Sequence, residues 1–348
     1  MLEKIELKNF TGCENLEITF SAKINVIIGE NGTGKTHLLK AAYALCAGAP
    51  LFKKKPDIDD DELAAALTTK LLRLFMPMDE KLGKLHHQGA TEQAFLSAHF
   101  SQGQKIAATF SNNSKRLAIQ SRANYEKFQA GAVFIPTKEV LSFMKGFNSL
   151  YEKYELSFDQ SYQDVCLLLD LPEIRPENLH AKSKWAIEQI EEVCGGRFIF
   201  YGGGKVTFKT EHTEYSANAM AEGFRKAGML ARLLETGAIQ PGISGPLFWD
   251  EPETNMNPKL MKLLVEILLE LSRNGQQIIL ATHDYVLLKW FDLLTNKGSD
   301  DHVRFHSLYR DNGDIKVEIV DSFSLVNRNV ISDTFAELYD EDVNRALG

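Results

Sequence analysis

An apolar segment followed at once by a glycine-rich loop is the feature that most constrains how this chain of 348 residues can fold. Residues 24–28 read Ile-Asn-Val-Ile-Ile, and residues 29–36 read Gly-Glu-Asn-Gly-Thr-Gly-Lys-Thr, which matches G-x-x-x-x-G-K-[ST] in full. Apolar residues at helical spacing follow from Thr36 to Cys46. A buried strand, this loop and a helix, in this order, predict a phosphate-binding loop in an α/β fold.

Each residue type in the loop suits the binding of phosphate. Glycines let backbone N–H groups turn inward without a clash from a Cβ atom, and the helix that follows adds the positive end of its dipole. Lys35 supplies a positive charge to the β- and γ-phosphates, and the hydroxyl of Thr36 can ligate Mg²⁺. The predicted nucleotide-binding residues are Gly29, Glu30, Asn31, Gly32, Thr33, Gly34, Lys35, Thr36 and His37.

Two later apolar segments end in polar residues that complete such a site. The strand at residues 247–249 ends in Asp250 and Glu251, which predicts Asp250 in the Mg²⁺ shell and Glu251 as the group that orients or deprotonates the attacking water. The next apolar strand ends at His283, which could hydrogen-bond the γ-phosphate or that water. The alternatives to these roles are an ordinary charged strand end for Asp250 and Glu251 and a helix-capping role for His283. Because Lys35 and Asp250 are 215 residues apart, a large insertion separates the motifs.

Apolar periodicity along the rest of the chain predicts an α/β fold. Period-two segments predict two antiparallel strands before residue 21 and a small antiparallel meander at 94–120, attached to the first lobe. After residue 220, helical and strand patterns alternate, which predicts a mostly parallel core sheet. The predicted domains are a core at 1–135 and 197–348 (an antiparallel β lobe plus an α/β lobe), a helical and loop insertion at 50–90 and a helical insertion at 140–195.

The composition excludes several classes of protein. With 44% hydrophobic and 25% charged residues, the chain has the composition of a globular protein, and no apolar run approaches the roughly 20 residues of a membrane span. The N-terminus lacks the pattern of a secretory signal, and four cysteines without a C-x-x-C pair suggest neither disulfides nor a zinc site. A net charge of −8 argues against a dedicated nucleic-acid binder, although a local basic patch stays possible. We therefore expect a cytoplasmic protein that does not bind membranes.

The segments GENGTGKT, LFWDEPE and LATHD, in this order and at these intervals, resemble the motifs of ABC-type ATPase heads. The N-terminal strands and the short length are most similar to the RecF, SMC-like and OLD-type branch. The segments KIELKNF, IPTKEVLS and FAELYDEDVNRALG also resemble those of small bacterial AAA-labelled ATPases of phage-defence and abortive-infection systems. The resemblance covers residues 1–48 and 215–320. It implies a P-loop NTPase fold of the ABC-ATPase type, with ATP and Mg²⁺ as ligands and ATP hydrolysis as the activity.

The resemblance also implies a dimer. Family members hydrolyse ATP between two heads placed head to tail, where a Ser-x-Gly motif at a helix start closes the partner's nucleotide site. Glu222 and Gly223 occupy the matching stretch, which implies that they contact a nucleotide. Ala221 stands where the family has its serine, so this contact is weaker or is supplied by Arg225 or Lys226. An ordinary amphipathic helix is the alternative.

The sequence leaves two further assignments open, the position of the family's glutamine and the role of Phe10. In the family a glutamine after the strand at 132–135 normally contacts Mg²⁺ and the attacking water. Here the sequence reads Pro136-Thr137-Lys138-Glu139, so either Glu139 substitutes for the glutamine or the position lies elsewhere. Phe10 either packs near the adenine or belongs to the core.

The sequence leaves three functions open. The first is an ATP-driven switch that forms a homodimer or higher oligomer around ATP–Mg²⁺ and controls a protein effector on another chain, as in anti-phage defence. The second is a RecF-like factor of DNA repair or maintenance, whose DNA binding is gated by ATP. The third is a scaffold that binds ATP tightly and hardly turns it over. A nuclease of the OLD type is not expected, because the 65 residues after His283 lack a second cluster of acidic metal ligands.

Overall fold

The computed structural model describes residues 1–327 and 330–347. In chain order the strands are β1 (Leu2–Phe10), β2 (Cys13–Thr19), β3 (Ile24–Gly29), β4 (Ala94–Phe100), β5 (Gln104–Phe110), β6 (Ala118–Ser121), β7 (Val133–Ile135), β8 (Arg197–Phe200), β9 (Val206–Lys209), β10 (Glu214–Ser216), β11 (Leu247–Asp250), β12 (Ile278–Ala281), β13 (Val303–Asp311) and β14 (Asp314–Val320). The helices are α1 (Lys35–Ala47), α2 (Leu51–Lys54), α3 (Asp60–Phe75), α4 (Phe147–Lys153), α5 (Gln160–Leu169), α6 (Ala181–Cys194), α7 (Glu222–Glu235), α8 (Pro258–Arg273), α9 (Tyr285–Leu294) and α10 (Val330–Leu347).

A six-stranded sheet in the order β14-β13-β3-β12-β11-β7 forms the core. The strands from β13 to β7 run parallel, and β14 adds an antiparallel edge. A hydrophobic core lies on each face of this sheet. Successive side chains of a strand pack into different cores because side chains alternate between the two faces of a sheet. Ile27 and Phe248 pack towards α1 and the antiparallel lobe, whereas Val26 and Trp249 pack towards α5–α9. The predicted α/β fold with a mostly parallel core is confirmed.

The antiparallel lobe is one five-stranded sheet in the order β2-β1-β4-β5-β6. The predicted antiparallel meander at 94–120, attached to the first lobe, is confirmed, because β4, β5 and β6 pair in succession and β4 pairs with β1, with Leu96 opposite Leu7. The pairing with β4 covers an edge of β1 that would otherwise have unpaired N–H and C=O groups. Phe10, at the end of β1, is completely buried and packs edge-on against Phe75 and Phe110, so its side chain belongs to the core of this lobe.

The helical insertion packs against the helix that follows the phosphate-binding loop. The Tyr43 hydroxyl of α1 donates a hydrogen bond to the Asp164 carboxylate of α5 (2.8 Å), and Lys70 of α3 contacts the same carboxylate. Lys40 forms an ion pair with Asp159 (2.8 Å), the residue that caps α5. Side-chain contacts therefore anchor α5 of the insertion to α1.

A small antiparallel sheet in the order β10-β9-β8 follows the insertion. Sequence periodicity does not reveal β10, because its three residues are all exposed and show no apolar alternation. All four cysteines are buried free thiols. In the part of the chain that the structure describes, no helix is long and apolar enough to cross a membrane.

His306 of β13 makes the stability of this fold dependent on pH. It is completely buried, and its Nε2 donates a hydrogen bond to the Asn25 side-chain oxygen (3.2 Å). Burial lowers the pKa of His306 to about 3 from its ordinary value of about 6.5, so the unfolded state binds a proton between these values and the folded state does not. Stability is therefore lost as pH falls from about 6.5 towards 3. Between pH 6.5 and 5 the loss is about 2 kcal/mol.

Urea denaturation at pH 6.5 and pH 5 measures this loss. His306→Gln, which keeps an N–H donor but cannot titrate, should reduce the fall in unfolding free energy by about 2 kcal/mol relative to the unsubstituted protein. His212→Gln, at an exposed histidine between β9 and β10, is the matched control and should leave the fall unchanged. An equal fall in the His306→Gln protein would show that another group is responsible.

Candidate functional site

The glycine-rich loop joins β3 to α1 with a backbone that only glycine adopts readily. Gly32 and Gly34 have φ of +81° and +85°, in the left-handed region. Gly29 has φ of +147°, and a Cβ atom there would lie 2.4 Å from the carbonyl oxygen of Leu308 in β13. The loop therefore needs its glycines both for its turns and for close contact with the adjacent strand.

Lys35 is folded over this loop. Its Nζ donates hydrogen bonds to the carbonyl oxygens of Gly29 (2.7 Å) and Glu30 (3.1 Å), and 7% of the residue is exposed. Burial lowers the pKa of Lys35, while the carboxylates of Glu251 and Asp250 oppose the shift. The ammonium group thus lies between the loop and the acidic ends of neighbouring segments, where the phosphates of a nucleotide would compete for it.

The other loop residues have different surroundings. Glu30, Asn31 and Gly32 are exposed, whereas Thr33 is buried and its hydroxyl donates to the Glu30 carbonyl (2.8 Å). Arg310 of β13 donates to the Gly32 carbonyl oxygen (2.7 Å), a support that the sequence did not reveal because no motif links the two segments. His37 lies exposed in the first turn of α1, and its ring packs edge-on against Phe75.

Two threonine hydroxyls converge on the Asp250 carboxylate at the end of β11. Thr36 donates to its Oδ2 (2.9 Å), and Thr137, which follows β7, donates to the same oxygen (3.1 Å). Burial raises the pKa of Asp250, and the hydrogen bond from Thr36 opposes this shift. Thr137 was not predicted as a site residue. Glu139, one of the two alternatives for the position of the family's glutamine, forms a buried ion pair with Arg225 (2.8 Å).

These oxygen donors fit Mg²⁺. Mg²⁺ binds one or two carboxylates together with substrate phosphates and water, and seldom a closed cage of protein ligands. Among residues 1–327 and 330–347, no group of three or more His, Cys, Asp or Glu side chains could hold a metal alone. Asp250 and Thr36 would therefore hold the ion together with the phosphates, with Thr137 orienting the carboxylate.

Removal of the Thr137 hydroxyl tests this arrangement. Thr137→Val keeps the shape of the side chain but leaves the buried Asp250 carboxylate with one hydrogen bond fewer, so we expect ATP hydrolysis to fall roughly ten-fold at limiting Mg²⁺. The measurement is the ATPase rate as a function of Mg²⁺ concentration. Thr69→Val is the matched control, because the Thr69 hydroxyl is bonded to its own helix far from Asp250. Equal rates for the two variants would contradict the assignment of Thr137.

Glu251 and His283 lie beside each other at the ends of adjacent strands. The Glu251 Oε1 is 3.1 Å from His283 Nδ1, and both side chains are partly exposed, at 27% and 49%. Glu251 has φ of +49°, a conformation that non-glycine residues rarely adopt and that is concentrated at functional sites. The structure thus brings Lys35, Thr36, Asp250, Glu251 and His283 to the carboxyl edge of the parallel sheet, where they can surround one triphosphate.

The start of α7 presents backbone rather than side-chain donors. Ala221 occupies the cap position without a side-chain hydrogen bond, and Gly223 lies close to the loop after Glu251. The alternative that Arg225 or Lys226 replaces the missing serine does not agree with the structure. Arg225 is held by Glu139, and Lys226 is 1% exposed, so neither side chain projects from the helix start.

Two family models match successive parts of the chain. Residues 1–167 match a model described as "AAA ATPase domain", and residues 172–289 match one described as "AAA domain, putative AbiEii toxin, Type IV TA system". The first match contains the glycine-rich loop, and the second contains Asp250, Glu251 and His283.

Individual proteins that are similar to this chain give a more specific resemblance. A "DNA replication and repair protein RecF" of Ligilactobacillus salivarius is 33% identical over 29% of this chain and 28% of its own length. An SMC head, solved bound to the C-winged helix domain of ScpA, has a TM-score of 0.58 and 15% identity, and the match covers 93% of this chain and 98% of that one. The chain thus has the fold of an SMC head, and these matches together support an ABC-type ATPase head of the RecF and SMC group.

Two further similarities agree with this resemblance. The RecF protein of Bacillus thuringiensis is 52% identical over 13% of this chain and 12% of its own length. The chain therefore aligns with less than a third of the length of these curated relatives. The SMC head domain of Thermotoga maritima has a TM-score of 0.51 and 13% identity, covering 92% of this chain and 98% of that one, and supports the fold alone.

Proposed function

We propose that this ATPase head binds and hydrolyses ATP with Mg²⁺, pairs head to tail with a second copy around the nucleotide, and thereby controls a partner effector. The observation that carries the proposal is the convergence of Thr36, Asp250, Glu251 and His283 beside the glycine-rich loop. The matches to two AAA ATPase family models support the activity. The pairing and the effector are the parts of the proposal that need direct tests.

The chemistry assigned to the chain follows from the position of each group. Lys35 and the loop N–H groups would bind the β- and γ-phosphates, and Asp250 with Thr36 would hold Mg²⁺, which neutralises charge on the phosphates when bound. Glu251 would orient the attacking water and accept its proton. His283, at 3.1 Å from Glu251, would fix that carboxylate and hydrogen-bond the γ-phosphate.

Head-to-tail pairing would bring the start of α7 to the partner's nucleotide. Ala221 is exposed there, and the first turn has no side-chain cap, so the N–H groups of Glu222 and Gly223 are available to an anion. The Phe224 N–H instead donates to the Ala221 carbonyl oxygen (3.0 Å). Asn255, in the loop that follows Glu251, is exposed next to Gly223 and extends the same surface. Because ATP would contact both heads only in the pair, ATP binding would favour the closed state.

Light scattering on the purified chain tests the pairing. With ATP and Mg²⁺ the molar mass should double, and with ADP it should return to that of one chain. Single-turnover hydrolysis, with and without the products of neighbouring genes, separates a switch from a scaffold that binds ATP and hardly turns it over. A chain that stays monomeric at saturating ATP would contradict the pairing.

The effector is expected on another chain. The matching family model is described as a putative AbiEii toxin of a type IV toxin–antitoxin system, which supports a role in defence against phage. The helical insertion offers a route for control, because the contacts of Tyr43 and Lys40 link α5 to the helix that follows the phosphate-binding loop. Co-purification of neighbouring gene products with the ATP-bound chain would identify the partner.

The second candidate is a RecF-like DNA maintenance ATPase, which the similarity to two DNA replication and repair proteins RecF favours. It predicts that double-stranded DNA stimulates hydrolysis and that DNA binding weakens steeply with salt, since phosphate contacts release counterions. The net charge of −8 counts against it. Hydrolysis that is unchanged by DNA at 50 mM salt would exclude this candidate.

A further inference from the structure

Lys226 is a lysine whose side chain lies inside the protein. It occupies the second turn of α7 and is 1% exposed, which is rare for lysine because burial of an ammonium group is unfavourable without partners. Burial lowers the pKa of Lys226 to about 8, and the surrounding carboxylates, with Glu253 first and then Glu222, Glu251 and Asp250, oppose the shift. The charge therefore has acidic neighbours, and three of them, Glu253, Glu251 and Asp250, belong to the segment that carries the hydrolytic residues.

The ammonium group of Lys226 is bonded directly to the backbone of Glu251. Its Nζ donates to the Glu251 carbonyl oxygen (3.1 Å), while the Glu251 N–H donates to the carbonyl oxygen of Ala281 in β12 (2.9 Å). These two bonds hold a residue whose φ of +49° lies in the left-handed region. Lys226 thus helps to fix the peptide from which the Glu251 carboxylate projects towards His283.

Glu253 anchors the same loop on its other side. It is 4% exposed, and its Oε1 accepts hydrogen bonds from the Thr282 hydroxyl (2.6 Å) and the His283 N–H (3.3 Å). Burial raises the pKa of Glu253, and the hydrogen bond from Thr282 opposes this shift. The loop that follows β11 is therefore held between α7 and the segment before α9.

The first turn of α7 touches this loop as well. A Cβ atom on Gly223 would lie 2.8 Å from the carbonyl oxygen of Asn255, so only glycine allows the helix start to approach so closely. A displacement of α7 would therefore move the loop at two points, through Gly223 and through Lys226.

We infer that Lys226 is a positioning residue for ATP hydrolysis, which transmits the position of α7 to the Glu251 carboxylate of the same protomer. The inference rests on the proposed function, because it requires Glu251 to act on water and the start of α7 to contact the partner's nucleotide. Binding of nucleotide in one site of the pair would in this way adjust the hydrolytic geometry of the other.

Two substitutions of Lys226 test the inference. Lys226→Met keeps most of the side-chain volume but has no donor for the Glu251 carbonyl, so kcat should fall roughly 10- to 100-fold while KM for ATP changes less than two-fold. Lys226→Gln retains an N–H donor and should lose less. Lys262→Met is the matched control, because Lys262 is a partly exposed lysine on α8 that pairs only loosely with Glu266 (3.8 Å). The kcat of the Lys262→Met protein should equal that of the unsubstituted protein.

A double-mutant cycle shows whether the effect passes through Glu251. In a Glu251→Gln background, Lys226→Met should leave the residual single-turnover rate unchanged. An unaltered kcat in Lys226→Met, or the same fold loss in both backgrounds, would overturn the inference. If thermal melting shows that Lys226→Met is unfolded, Lys226→Gln decides: a several-fold lower kcat at constant KM supports the inference, and an unaltered kcat overturns it. A normal rate in Glu251→Gln alone would instead refute the proposed function and the inference with it.

Discussion

Replacement of Glu251 with glutamine should lower ATP hydrolysis by roughly 10²- to 10⁴-fold, the usual contribution of a general base. The amide keeps the shape of the carboxylate and can still accept a hydrogen bond from His283, which lies 3.1 Å away, but it cannot take a proton from water. ATP binding depends on Lys35 and the glycine-rich loop, which this change does not touch. The variant should therefore bind ATP, form the closed pair and remain in it.

Light scattering coupled to size exclusion measures this outcome. Glu251→Gln should elute at twice the mass of one chain with ATP and Mg²⁺, and should stay dimeric for hours, whereas the unsubstituted protein returns to monomer as ATP is consumed. Glu266→Gln is the matched control, since the Glu266 side chain is 41% exposed on α8. This variant should hydrolyse ATP at the normal rate. A Glu251→Gln protein that stays monomeric at saturating ATP would refute the switch.

The core of the site could be predicted because its determinants are local. The strand, glycine-rich loop and helix at residues 24–47 are contiguous, and the strands before Asp250 and His283 are short apolar runs bounded by polar residues. The carboxyl ends of neighbouring parallel strands meet at one edge, so placing the three segments in one parallel sheet already predicts that Thr36 and Asp250 meet. The hydrogen bond between them agrees with this prediction.

The missed features depend on contacts between distant segments. The pairing of β1 with β4 joins segments more than 80 residues apart, and their alternating patterns fit several strand partners equally well. Thr137 was missed because a single hydroxyl after a three-residue strand carries no motif. Arg310 contacts the glycine-rich loop only because β13 lies next to β3. Sequence periodicity shows which face of a strand is apolar but does not identify its neighbours.

The start of α7 shows how burial changes the interpretation of a charged residue. By sequence, Arg225 and Lys226 are two cations after a helix start and could serve an anion on another molecule. In the structure Glu139 holds Arg225, and Lys226 points inward to the Glu251 carbonyl. The absence of a serine at Ala221 is therefore not compensated by these side chains, and a partner's phosphates would meet mainly backbone N–H groups. A weaker trans contact of this kind would reduce the free energy by which bound ATP favours the closed pair.

Lys35→Ala should abolish measurable ATP binding. The loss of a partly buried cation that is hydrogen-bonded to phosphate is expected to cost about 2–5 kcal/mol, or roughly 30- to 5,000-fold in Kd. The fold itself should persist, because burial already lowers the pKa of Lys35 and thus disfavours its charged form, and the ammonium bonds only to carbonyls of its own loop.

Calorimetric titration and thermal melting together separate lost binding from lost folding. ATP with Mg²⁺ should raise the melting temperature of the unsubstituted protein, because a ligand that binds only the folded state stabilises it, and should not raise that of Lys35→Ala. Lys53→Ala is the matched control, since Lys53 is exposed on α2 and outside the site. The Lys35→Ala protein should melt near the ligand-free temperature of the unsubstituted protein. If it binds ATP with unaltered heat and affinity, the glycine-rich loop is not the nucleotide site, and Asp250, Glu251 and His283 lose their assigned roles with it.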